Sequence, residues 1–115
     1  MAVTEKEIER EIRATLEAMG CLVIKMHLGP LIVGKGQRAT NPNKGFPDLF
    51  GWLPNGRGFA IEVKKPGHNT SKLRAENQAD WIDRLKCYHV LAFQTDDPKE
   101  AEAMIAKSMS ECMNE

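Results

Sequence analysis

Net charge is missing from this chain: sixteen Lys and Arg balance sixteen Asp and Glu across 115 residues. Taken whole, that balance argues against a protein that coats nucleic acid through bulk charge. Disulfide chemistry is missing too. Cys21, Cys87 and Cys112 are odd in number, widely spaced and in no Cys-x-x-Cys pair, which excludes a disulfide framework and a structural zinc site. A reducing, intracellular (cytoplasmic) compartment is expected. No run of about 18 apolar residues occurs, and the stretch Met1 to Glu7 is polar, so neither a membrane span nor a secretory signal is expected. Neither an internal repeat nor a Pro/Gly/Ser linker divides the chain, and its length fits one domain, 1–115. His27, His68 and His89 are dispersed without metal-ligand spacing, and Gly34-Lys35-Gly36 lacks the spacing of a phosphate-binding P-loop.

What is present is an ordinary globular composition, 42% hydrophobic and 28% charged, ordered into alternating helical and strand periods. Thr4-Glu5-Lys6-Glu7 has the form of a capping box. Ile8, Ile12, Leu16 and Met19 follow at helical spacing, and Gly20 stops the helix. Cys21 to Leu28 reads as a buried strand. Gly29 to Gly45 is rich in Gly, Asn and Lys, with one short strand at Leu31-Ile32-Val33. Asp48 to Leu53, a turn at Pro54-Asn55-Gly56-Arg57-Gly58 and Phe59 to Lys64 form a β-hairpin. Thr70 or Ser71 caps a helix running to about Lys86, Tyr88 to Gln94 is a further strand, and Asp96-Asp97-Pro98 opens a last helix carrying Ala101, Met104, Ile105 and Ser108. The fold class expected is α/β, in the order α-β-(β)-β-β-α-β-α.

Strand alternation puts Phe59, Ile61 and Val63 on one face and Ala60, Glu62 and Lys64 on the other. A hairpin centred on Asn55 sets Asp48 opposite Glu62, about 5 Å apart at Cβ. Two carboxylates and an ammonium then converge. Adjacent carboxylates repel, and a hard divalent cation such as Mg²⁺ takes oxygen ligands at this kind of spacing. A solvated strand face and a turn residue after Pro47 would be the plainer explanation. Against it, both carboxylates are embedded in apolar strands, where uncompensated charge is expensive.

Gly45-Phe46-Pro47-Asp48 and Ile61-Glu62-Val63-Lys64-Lys65-Pro66-Gly67, with thirteen residues between Asp48 and Glu62, resemble the PD-(D/E)XK nuclease signature. More narrowly the chain resembles the VRR-NUC branch, from the first helix to Gln78 and the strand after it. That resemblance implies a restriction-endonuclease-like core, a mixed sheet flanked by helices. It also implies that Asp48 and Glu62, with the Val63 carbonyl, hold Mg²⁺ or Mn²⁺, that Lys64 positions or activates the attacking water, and that a glutamate of the first helix completes the site. Of the candidates, Glu9 borders the apolar stripe and is preferred. Glu5 also points inward but lies in the first turn, Glu7 is the capping partner, and Glu11 lies farther from the stripe than Glu9.

Gln78 falls in the middle of the apolar face of its helix, among Ala75, Trp81, Ile82 and Leu85. A buried amide needs partners, either backbone groups or the site itself, and the resemblance favours the site. Lys35, Arg38, Lys44, Lys65, Lys72 and Arg74 are each an ordinary surface charge, and as a set near the site they look like phosphate contacts. Short VRR-NUC proteins are similar to Holliday-junction resolving enzymes, so the resemblance further implies a homodimer cutting branched DNA. A flap-cutting nuclease or exonuclease of the same fold, or a non-catalytic DNA-binding subunit, are the other readings. The zero net charge also divides unevenly: residues 1–20 carry −2, residues 21–74 carry +7 and residues 75–115 carry −5. The positive excess coincides with the proposed site.

Overall fold

In a computed structural model, residues 3–26, 31–33, 37–39, 44–66 and 71–113 are described. Helix α1 (Glu5–Ala18) starts as its sequence dictates. The Thr4 hydroxyl accepts the Glu7 N–H at 3.1 Å, and the Glu7 carboxylate accepts the Thr4 N–H at 3.4 Å. The helix buries Ile8, Ile12 and Leu16 and ends at Gly20, whose φ of 90° lets the Cys21 N–H turn back to the Leu16 carbonyl.

The chain then forms β1 (Leu22–Lys25), β2 (Leu31–Val33), β3 (Gln37–Ala39), β4 (Leu49–Trp52), β5 (Gly58–Val63), α2 (Lys72–Lys86), β6 (Leu91–Thr95) and α3 (Pro98–Met113). Where one short strand is expected between β1 and the hairpin, there are two, paired antiparallel as a separate sheet. The main sheet has the order β1-β4-β5-β6, with β5 and β6 parallel and the other pairs antiparallel. This is a mixed α/β sheet with helices on both sides, and α2 is the crossover that parallel neighbours require. Among the described residues no helix is long and apolar enough to cross a membrane.

One sheet face carries Val23, Leu49, Phe59, Ile61 and Val63, buried together with the apolar stripe of α1 and with Ala101 and Ile105 of α3. Each large aliphatic side chain so buried contributes roughly 1.5–3 kcal/mol. On the other face β5 and β6 present Ala60 and Ala92, both buried, and these small residues let α2 lie close over that half. The β4–β5 register pairs Leu49 with Ile61 and Phe50 with Ala60, which is the pairing expected from a turn centred on Asn55. The turn is a three-residue loop, with Gly56 at φ 91° and the Leu53 N–H donating to the Arg57 carbonyl.

Strand β6 starts at Leu91, three residues after the expected start at Tyr88. His89 stands at φ 64° and the Val90 N–H donates to the Leu85 carbonyl, so Tyr88 to Val90 belong to the C-terminal cap of α2. Arg57 closes this corner, donating from Nε to the His89 carbonyl at 3.0 Å and from a terminal nitrogen to the Ser108 hydroxyl at 2.7 Å.

Two stability changes follow. A Cβ at Gly51 would lie 1.8 Å from the Leu22 carbonyl oxygen, so Gly51→Ala must part β1 from β4. It is expected to destabilise by about 3 kcal/mol or more in urea denaturation. His89→Gly relieves a left-handed residue and is expected to stabilise by about 1 kcal/mol in the same measurement.

Candidate active site

The end of the β4–β5 hairpin builds the site. Asp48 precedes β4 and its carboxylate accepts the Val63 N–H at 2.9 Å, which locks it against the last residue of β5. Glu62, on the face shared with Ala60, is 3% exposed. Its Oε1 accepts the Gln78 amide N–H at 3.0 Å, and the Gln78 carbonyl accepts the Lys64 ammonium at 2.6 Å. Lys64 Nζ stands 3.8 Å from Glu62 Oε1. The orientation of Gln78 follows from its neighbours, because a carboxyl oxygen calls for a donor and an ammonium for an acceptor. Gln78, 4% exposed, thus joins Glu62 to Lys64.

Electrostatics strains this arrangement. Adjacent carboxylates repel, and the repulsion is costlier here because Glu62 is almost wholly withdrawn from water. The pair therefore holds a proton or a cation. Burial, and then the Asp48 charge, push Glu62 from its ordinary 4.5 to about 8, despite the opposing pull of Lys64. Burial also raises Asp48, partly offset by the Val63 N–H and the bond to Glu62.

Asp48 sits between two hollows. One, of about 340 Å³, is lined by Glu62, Gln78, Lys44, Phe46, Asn77 and Arg74 among others. The second, of about 300 Å³, is lined by Glu5, Lys6, Glu9, Lys25, Val63 and Arg74 together with Asp48 and Met26. Glu9 therefore faces the site from α1, as its place beside the apolar stripe suggested, and so does Glu5. The Glu9 carboxylate pairs with Lys25 Nζ at 2.9 Å. Among the described residues no three His, Cys, Asp or Glu side chains gather closely enough to hold a metal. The donor set that fits a hard divalent cation is the Asp48–Glu62 pair, whose proton affinity is raised, with the Val63 backbone beside it.

The expected phosphate contacts divide. Lys44 and Arg74 line the hollows, and Arg74 borders both. Lys65 and Lys72 are exposed and line neither, Arg38 is on β3, and Lys35 lies outside the described residues. Also outside them are His27, His68 and Thr70; Ser71 caps α2, accepting the Arg74 N–H at 3.3 Å. Sequence reasoning missed Lys25, Lys6, Phe46 and Asn77. For Lys25 a signal existed: alternation from Val23 puts it on the face of α1, at the strand end nearest the site.

The profile of the VRR-NUC domain family matches residues 5–93. A solved structure described as a VRR_NUC domain is similar, with a TM-score of 0.61 at 24% identity, covering 89% of this chain and 94% of that one; at this identity the likeness carries the fold. No curated protein gives a significant match. The family match takes in α1, the carboxylate hairpin, α2 with Gln78 and most of β6, and on that coverage the chain belongs to the VRR-NUC family, a nuclease-type domain.

Proposed function

We propose that the domain is a divalent-cation-dependent endodeoxyribonuclease that hydrolyses phosphodiesters in branched DNA, such as a Holliday junction, as a homodimer. The observation that carries the catalytic part is the Asp48–Glu62 pair, with Glu62 buried and coupled through Gln78 to Lys64. An ion pair kept only for surface solubility would not be built around a 3%-exposed glutamate. Intact carboxylates and lysine also weigh against a non-catalytic subunit.

Asp48, Glu62 and the Val63 carbonyl would hold Mg²⁺ or Mn²⁺, and Glu9, which lines the adjoining hollow from α1, would join them only by leaving its ion pair with Lys25. When bound, the ion supplies Lewis-acid stabilisation of the phosphate and a more acidic water. The protein's own groups do the positioning. The Val63 N–H fixes Asp48, and the Gln78 carbonyl aims the Lys64 ammonium. Lys64 orients the attacking water for in-line displacement, as a charged stabiliser or, once neutral, as its base. Arg74 and Lys44 face the same hollows and neutralise substrate phosphates.

Branched DNA and dimerisation rest on the family resemblance and on symmetry. One chain carries one such site, and paired nicks on opposing strands need two. A cleavage assay with Mg²⁺ on single-stranded, duplex, flap and four-way-junction DNA tests the substrate, and sedimentation tests the dimer. Equal cutting of linear duplex and junction, or monomer alone at micromolar concentration, would overturn those parts.

Asp48→Asn and Lys64→Ala are expected to abolish cleavage while leaving the circular dichroism spectrum unchanged; wild-type cutting by either variant would sink the assignment. A further expectation concerns pH. In the folded chain without divalent cation Glu62 keeps its proton up to about 8, whereas an unfolded chain releases it near 4.5, so stability declines as pH rises between those values. Glu62→Gln should remove that decline in urea denaturation between about pH 5 and pH 8. For the wild type, Mn²⁺ should raise the melting temperature more at the upper pH than at the lower.

A further inference from the structure

Three aromatic side chains form a row that begins at the carboxylates and ends in solvent, with a fourth, Trp81, packed against its inner end. Phe46 lines the hollow shared by Asp48 and Glu62. Its ring packs edge-on against Trp81 at 5.1 Å and against Phe50 at 5.8 Å, and Phe50 meets Trp52 at 6.2 Å. At the outer end Trp52 is 46% exposed, beside its cross-strand partner Leu22 at 58%. The row is open because α2 covers the β5–β6 half of this sheet face and leaves the β1–β4 half bare among the described residues.

The flank of α2 beside the row is basic. At about 100° per residue, Arg74, Asn77, Trp81 and Arg84 fall on one flank, while Glu76, Asp80 and Asp83 fall opposite Gln78. Arg84 stacks on the Trp81 ring at 4.3 Å, and the Trp81 indole N–H donates to the Lys44 carbonyl at 3.1 Å. An aromatic row bordered by cations and continuous with a phosphodiesterase site matches a nucleic-acid strand, whose bases offer ring faces and whose backbone offers charge.

We propose that the Phe46–Phe50–Trp52 row is a stacking track for unpaired bases of the DNA strand whose phosphodiester reaches Asp48 and Glu62. This rests on the nuclease reading and narrows its substrate class. A continuous duplex keeps its base faces stacked inside, so the track engages DNA that carries a single-stranded element next to the scissile bond, such as an opened branch point. Trp52 contributes the outermost ring, and Arg84, stacked on Trp81, and Arg74, lining the hollow with Phe46, contribute cations from α2.

The test compares labelled oligothymidylate with an abasic oligomer of equal length, which has the same phosphates and no bases, by anisotropy in EDTA. The wild type is expected to bind the thymidylate roughly 10-fold tighter, with quenching of its two tryptophans, Trp52 and Trp81. Trp52→Ala should erase that preference and Trp52→Phe should keep it, with circular dichroism confirming that both variants fold. Equal wild-type affinity for the two oligomers, or a preference that survives in Trp52→Ala, overturns the proposal. So does a dimer that becomes monomeric in Trp52→Ala with the preference intact, because a second copy then occupies this face. Hydrolysis of single-stranded, duplex, flap and four-way-junction DNA with Mn²⁺ tests the nuclease reading separately. A wild type that hydrolyses but has no base preference refutes the track alone. One that has the preference but hydrolyses no substrate supports the track as a binding surface and refutes the nuclease reading.

Discussion

The bond from the Val63 N–H to the Asp48 carboxylate holds the site together, because it joins the two arms of the β4–β5 hairpin at the point where they would otherwise separate. Asp48 lies just before β4, beyond the last paired residues, and Glu62 just inside the end of β5. Without that bond the repulsion between the carboxylates would favour splaying the strand ends. With it, they stay adjacent, and burial first, then the charge of Asp48, raises the proton affinity of Glu62. The rest of the molecule is arranged around keeping that pair in place.

Each layer contributes one part. The face under α1 and α3 is a continuous apolar core that clamps Leu49, Ile61 and Val63, and so fixes the hairpin rigidly. The opposite face is lined with alanines where α2 crosses, which brings Gln78 within hydrogen-bonding distance of Glu62 and Lys64. Burial on that face gives the Glu62–Gln78–Lys64 chain its low-dielectric setting, where an amide bridging a carboxyl and an ammonium is worth more than it would be in water.

Much of this was legible in residue order because its causes are local. The Thr4–Glu7 capping box, the Gly20 stop and the Asn55-centred turn act over a few residues, and the turn alone sets the register that pairs 49 with 61 and so brings Asp48 to the end of β5. The position of Gln78 was legible as an anomaly, an amide on an apolar face. Less legible were features that depend on distant neighbours. Residues Tyr88 to Val90 have strand-like composition, yet the cap of α2 and the Arg57 bridge from the hairpin turn claim them. Glu9 and Glu5 could be ranked by helical phase, but both line the hollow, and the ion pair of Glu9 with Lys25 joins residues on different elements.

Short-range chemistry in the chain was therefore enough to determine the first helix's limits, the hairpin and the face on which Glu62 lies, and the motif residues carried the likeness to the family. Tertiary packing decided what those residues experience. Only the sheet order leaves the β1–β4 half of one face without a helix over it among the described residues, and with it the outer end of the aromatic row. Only the α2 crossover buried Glu62 deeply enough to lift its proton affinity to about 8. The physical reason is range: capping, turns and alternation act between residues near in sequence, whereas desolvation and charge coupling depend on everything that surrounds a group in space.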